Sequence, residues 1–257
     1  MRIGIITDIH EDAERLSAAL TGLEKMNCDM IACLGDITGY DDRFYSYGHS
    51  RDPEYCIDLI NVNCRVIIPG NHDLFHLKKL PLYNTVFSFP ENWYELDYKD
   101  REKISKGLLW LYGNDIPVKD IEQLREFLSS KTDSVVYDAG GIKILFSHSI
   151  APDISGILRK KPYRKKHFRQ HFDLIREKEC DIGVSGHLHP NGLLKINGKK
   201  IFNPKFSKFD LNDDINHFIC PCVANGMQDN GYTILDTKER TIESIPLRTP
   251  SINSIIL

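Results

Sequence analysis

Five short polar motifs follow one another along the chain, each directly after an apolar run: Asp8-Ile9-His10, Gly35-Asp36, Gly70-Asn71-His72-Asp73, His148 and Gly186-His187-Leu188-His189. The runs before them (residues 3–7, 30–34, 65–68, 142–146 and 181–184) have the length and composition of buried strands. Between the first runs, residues 11–26 place Leu16, Leu20 and Leu23 at helical spacing. A second helix starts at residue 53, with Asp52 as N-cap before a proline at the first position. Strand, helix and strand in repeated order predict a layered α/β core with a largely parallel portion, and the polar motifs fall at its strand ends.

The rest of the chain is patterned differently. Residues 74 to about 130 are rich in aromatics and charge, and residues 103–112 and 119–128 read as helices. This stretch is expected to be a helical cap over the motifs, or peripheral helices that complete the fold. Strands resume at 134–137 and 142–146 around a Gly140-Gly141 turn, followed by a basic helix over 163–179. The tail is β-rich, with one hairpin at Asn197-Gly198 and a second formed by residues 232–235 and 241–245. Without an internal repeat or a low-complexity linker, residues 1–257 are expected to form one domain, with the insertion at about 74–130.

Composition excludes several function classes. A chain of 257 residues is long enough for one full core. A formal charge of −3 gives no global field for nucleic acid or an acidic membrane surface. No apolar stretch is long enough to span a bilayer. The chain runs into its first strand without a signal-peptide pattern, and seven cysteines without a CxxC pair read as reduced thiols. A cytoplasmic location is therefore expected.

The motifs supply Asp8, His10, Asp36, Asn71, His148, His187 and His189, with His72 beside them. That inventory suits two divalent cations held ~3.5–4 Å apart, which a carboxylate bridges naturally. Asp36, in a glycine-flanked turn after a strand, is the bridging candidate. Imidazole and carboxylate donors suit Mn, Fe or Zn and do not choose among them. The Asp8-x-His10 and His187-x-His189 spacings fit extended backbone, where residues two apart point the same way. A water held by two metals ionises near neutral pH and attacks phosphorus in line. The expected activity is metal-dependent hydrolysis of a small phosphorylated substrate, nucleotides included, with neither nucleic acid nor membrane as partner.

The motif set as a whole, from Asp8 to His189, resembles the calcineurin-like metallophosphoesterase superfamily. The segment Cys220-Pro221-Cys222-Val223-Ala224-Asn225-Gly226, followed by Tyr232-Thr233-Ile234-Leu235-Asp236, is similar to the closing hairpin of that group's small bacterial phosphodiesterases. The resemblance implies an α/β (α+β) fold, a four-layer α-β-β-α sandwich of two mixed sheets. It implies that Asp8, His10, Asp36 and His189 bind one metal, and that Asp36, Asn71, His148 and His187 bind the second. It places His72 near the scissile phosphate as general acid or charge stabiliser.

Two positions depart from the protein Ser/Thr phosphatase branch. The acidic residue that orients the catalytic histidine there is Gly39 here, which leaves Asp41, Asp42 and Asp73 as possible partners of His72. The arginine before the Gly-Asn-His motif is Pro69. Both argue for a nucleotide or small phosphodiester over a phosphoprotein. A nuclease is the alternative, supported by the basic run Arg159-Lys160-Lys161, Arg164-Lys165-Lys166 and Arg169; a non-catalytic protein-binding scaffold ranks below it. Tyr83, Phe87, Phe89, Trp93 and Tyr94 read as core of the insertion, and His49 as part of an ordinary loop. His76, His167, His171 and His217 match no motif and read as surface residues.

Overall fold

The computed structural model describes residues 1–83, 86–159, 165–198, 200–211, 214–226 and 228–247. The first part of the chain forms β1 (Arg2–Ile6), α1 (Ala13–Lys25), β2 (Met30–Cys33), α2 (Pro53–Asn63), β3 (Val66–Ile67) and α3 (Asn71–His76). Then come α4 (Tyr98–Ser105), α5 (Ile121–Leu128), β4 (Ser134–Asp138) and β5 (Lys143–Ser147). A 3₁₀ turn, Lys165–Phe168, leads into α6 (Arg169–Glu177), followed by β6 (Ile182–Ser185) and β7 (Leu194–Asn197). The tail holds β8 (Ile201–Phe202), β9 (Lys208–Asp210), β10 (Asn216–Ile219), β11 (Gly231–Asp236) and β12 (Thr241–Pro246).

The strands form two sheets of six, ordered β3-β2-β1-β11-β12-β9 and β4-β5-β6-β10-β7-β8. In the first, β1, β2 and β3 run parallel and the other pairs antiparallel. In the second, the parallel set is β5, β6 and β10. Side chains alternate across each strand and so assign the layers. Ile3 and Ile5 of β1 join Ile144, Phe146, Ile182, Val184 and Phe218 in the core between the sheets. Ile6 turns the other way, against Leu16 and Leu23 of α1 and Ile57 of α2. Gly4 shares that outer side, where a Cβ would stand 2.7 Å from Leu23; glycine lets α1 settle on the strand backbone. Beyond the second sheet, Leu145 and Ile219 pack on Phe172 and Ile175 of α6. The result is the four-layer α-β-β-α sandwich, with each fully buried Ile or Phe contributing ~1.5–3 kcal/mol.

Two readings need correction. Residues 103–112 are not one helix: α4 ends at Ser105, and Lys106 (φ 49°) and Gly107 (φ 73°) turn the chain in the left-handed region. Leu109 and Leu111 are then buried while Leu108 and Trp110 stay exposed, which is a period of two. Leu109 forms an antiparallel bridge with Leu158. The second correction concerns His171 and His217, which are fully buried between α6 and β10. The Ala151 N–H donates to His171 Nδ1 (3.0 Å), so His171 Nε2 carries the proton and donates to His217 Nδ1 (3.0 Å). His217 Nε2 in turn meets Ser185 Oγ at 3.0 Å. His167 is half-buried, and His76 turns inward to 3.6 Å from Asp115. The first helical residues of the expected 163–179 helix lie outside the described residues, as does Lys199 of the Asn197-Gly198 hairpin.

Candidate metal centre

The segments that follow β1, β2, β3, β5 and β6 carry all eight singled-out residues, Asn71 and His72 at the start of α3, and the fold brings them to one end of the two sheets. Asp8, His10, Asp36, His187 and His189 all have positive φ, between 47° and 67°. The expected extended backbone at Asp8-x-His10 and His187-x-His189 is therefore wrong. Left-handed turns, which Asp and His tolerate better than most residues, fold both side chains of each pair inward. Such strain costs ~1–3 kcal/mol per residue and persists only where the surroundings enforce it. Here Asp8 N–H donates to Gly35 O (2.9 Å), and Ile9 and His10 N–H donate to Asp36 O (2.8 and 2.9 Å). Gly35 (φ 96°) lies so close to Gly70 that a Cβ would overlap its backbone nitrogen.

Three overlapping clusters converge there: Asp8, His10 and His189; His10, Asp36 and His72; and Asp36, His148 and His187. In the first, His189 Nε2 is 3.1 Å from Asp8 Oδ1 and 3.3 Å from His10 Nε2. In the last, Asp36 Oδ2 is 3.2 Å from His148 Nε2, and the same oxygen is 4.0 Å from His10 Nε2. Asp36 thus faces both groups, while its Oδ1 accepts from His72 N–H (2.9 Å). All of these donors except His189 and His72 are at least nine-tenths buried.

The donor chemistry fits divalent cations. His10 Nδ1 donates to Gly39 O (3.0 Å) and His148 Nδ1 to Leu34 O (2.6 Å), which directs each Nε2 lone pair inward. Asn71 Oδ1 stands 3.0 Å from His148 Nε2 and 2.9 Å from His187 Nδ1. Turning the amide over would let its NH₂ donate to both rings. A cation among these atoms satisfies them with the amide as it stands, and leaves the NH₂ 3.1 Å from Tyr112 Oη. Without a cation the charges are held by protons. Burial opposes ionisation of Asp36, but His148 and His72 keep its carboxyl well below the usual range. Burial also opposes protonation of His148, yet Asp36 carries it up to about 10. His10 is pushed down to about 3 by burial, which leaves its ring neutral and ready to coordinate.

His72 finds an acidic partner that the sequence did not suggest. Its Nδ1 is 2.5 Å from Asp115 Oδ2. None of Asp41, Asp42 or Asp73 takes this place. Asp73 caps its own turn, accepting from Gly70 N–H (2.9 Å), Thr38 N–H (2.9 Å) and Thr38 Oγ1 (2.8 Å). Asp41 pairs with Arg43 at 2.5 Å, and Asp42 is exposed. Gly39 could not host an acid, because a Cβ there would overlap the His72 ring. Burial pushes the His72 ring down, but Asp115 and Asp36 outweigh it and raise the ring to about 9.

A cavity of about 480 Å³ opens in front of these groups. The 98–115 stretch supplies one wall, including Trp110, Tyr112 and Asp115, and Cys222 and Ala224 supply part of another. Of the basic run, Arg159 lines the cavity and Arg169 is exposed on α6; Lys160, Lys161 and Arg164 lie outside the described residues. Phe87, Phe89, Trp93 and Tyr94 pack together with Leu109, Leu111 and Ile157. His49 is exposed and does not line the cavity.

A mixed α-β-β-α sandwich with clustered Asp, Asn and His at its strand ends defines a metallophosphoesterase-type protein. A family model for calcineurin-like phosphoesterases matches residues 1–191, and the chain belongs to that family. It is 26% identical over 250 residues to the uncharacterized protein MJ0912 of Methanocaldococcus jannaschii, covering 95% of this chain and 86% of that one. In fold it is similar to a metallophosphoesterase from Sphaerobacter thermophilus (TM-score 0.64, 20% identity, 97% of this chain and 89% of that one). Hypothetical protein PH1004 from Pyrococcus horikoshii OT3 gives a TM-score of 0.58 at 14% identity, with the same coverage of 97% and 89%. Among the described residues, no helix is long and apolar enough to cross a membrane.

Proposed function

We propose that the protein is a two-metal phosphodiesterase for a small, nucleotide-type ester. The observation that carries this reading is the position of Asp36, whose Oδ2 faces His10 of one donor cluster and His148 of the other. Asp8, His10, Asp36 and His189 would hold one cation, and Asp36, Asn71, His148 and His187 the second. When bound, the pair supplies Lewis acidity and a hydroxide near neutral pH.

The chain's own groups do the remaining work. His72 lines the cavity beside Asp36 and is held protonated by Asp115, so it can deliver a proton to the leaving oxygen. Asp115 keeps the ring in place from the far side. The cavity volume of about 480 Å³ is that of a small-ligand site, which favours a small diester over nucleic acid. With every donor and His72 in place, a purely protein-binding role has no support in the site. The test is hydrolysis by metal-stripped protein reloaded with Mn²⁺, comparing bis-p-nitrophenyl phosphate with p-nitrophenyl phosphate. Faster metal-dependent cleavage of the diester supports the reading; a preference for the monoester contradicts it.

A further inference from the structure

Two residues that line the cavity, Trp110 and Arg159, take no part in the proposed hydrolysis, and backbone pairing joins their segments. Across the Leu109–Leu158 bridge, Trp110 N–H donates to Ile157 O and Arg159 N–H donates to Leu108 O, both at 2.9 Å. This pairing fixes Trp110 and Arg159 side by side, with the guanidinium carbon 5.5 Å from the indole centroid. Both line the cavity, and Trp110 remains 36% exposed although Leu109 and Leu111 on either side are buried. The indole is therefore the large aromatic surface that this segment leaves open at the cavity.

Charge points the same way. Two arginines line the cavity. Arg43 is neutralised by Asp41 at 2.5 Å. Arg159 forms no ion pair among the described residues and rests on the indole instead. An aromatic face beside a guanidinium matches a flat base joined to an anionic phosphate. The volume of about 480 Å³ lies within the ~300–1,000 Å³ usual for small-ligand sites.

We infer that Trp110 and Arg159 form a nucleoside subsite, where the base of the substrate lies on the indole and Arg159 faces its phosphate. The inference rests on the phosphodiesterase reading and adds the part of the substrate that is recognised. The test is calorimetric titration of the Mn²⁺-loaded full chain with adenosine 5′-monophosphate and with ribose 5-phosphate, which differ only in the base. Stacking predicts about tenfold or more tighter binding of the nucleotide. Trp110→Leu should bring the ratio of the two affinities close to one, while Trp110→Phe should keep most of it. Equal affinities in the unaltered protein, or a ratio that survives Trp110→Leu, would overturn the inference.

A kinetic arm separates this claim from the one beneath it. Thymidine 5′-(p-nitrophenyl phosphate) and methyl p-nitrophenyl phosphate share a leaving group and differ in the retained substituent. Cleavage of both at equal kcat/KM would remove the subsite and keep the hydrolase. Cleavage of neither, with the base preference in binding intact, would remove the hydrolase and keep the subsite.

Discussion

His72 Nδ1 and Asp115 Oδ2 lie 2.5 Å apart, although 43 residues separate them in the chain. The pair links the first turn of α3 to the stretch that walls the cavity. Tyr112 reinforces the contact, its ring centroid 4.7 Å from that of His72. The stretch that shapes the cavity therefore also supplies the charge that orients the candidate proton donor.

His72→Ala should retain bound metal and lose most turnover, since a general acid contributes ~10²–10⁴-fold. Metal content and kcat, measured on the same preparation, check this. Rates near those of the unaltered protein would remove His72 from the mechanism.

Asp115→Asn should act through His72. Asp115 raises the ring, so its removal lowers the pH at which His72 loses its proton. The alkaline limb of the pH–kcat profile should move to lower pH, with kcat down about tenfold or more and metal content unchanged. An unmoved limb would mean that Asp115 only packs against the ring.

Asp36→Asn should lower metal occupancy at both positions and abolish turnover, because its carboxylate faces both donor groups. Elemental analysis after dialysis gives the occupancy. Two metals and full activity in this variant would refute the bridging role.

The buried His171–His217 pair should make the fold acid-sensitive independently of metal. Burial lowers His171 to about 3 and holds His217 well below its ordinary value, with the neighbouring ring of His171 adding to the effect on His217. A depressed folded-state value means that the unfolded chain binds the proton first. The stability is complete above about 6.5 and is lost as pH falls from there toward about 3, by several kcal/mol. Urea unfolding of metal-free protein across this window measures it, and His171→Gln should flatten the slope.

Metal itself should stabilise the fold. A ligand bound only to the folded state at about 100 times its Kd contributes ~2.7 kcal/mol. For a chain of this size that corresponds to roughly 5–10 °C in Tm. Chelation should remove the increment and Mn²⁺ should restore it, by scanning calorimetry.

The layered fold and the convergence of the eight polar residues were legible because each motif ends a buried strand, and a mixed sheet gathers parallel strand ends on one side. Backbone geometry was not legible: spacing alone does not separate an extended Asp8-x-His10 from a left-handed turn, since both aim residues two apart at one point. Asp115 escaped because it sits in no motif and meets His72 only through tertiary packing. The 103–112 stretch misled because Leu108, Leu109, Leu111 and Tyr112 can be drawn on one helical face, whereas Gly107 and the Leu158 bridge impose a period of two. His171 and His217 read as exposed because neither sits in a motif, and each is the other's partner only through the packing of α6 on β10.

The central claim is that Asp36 joins two cations into one centre. Electron paramagnetic resonance of the protein loaded with two equivalents of Mn²⁺ tests it most directly. A carboxylate-bridged pair ~3.5–4 Å apart should give an exchange-coupled signal that Asp36→Asn abolishes. A spectrum of isolated Mn²⁺ alone, at full loading and full activity, would contradict the account.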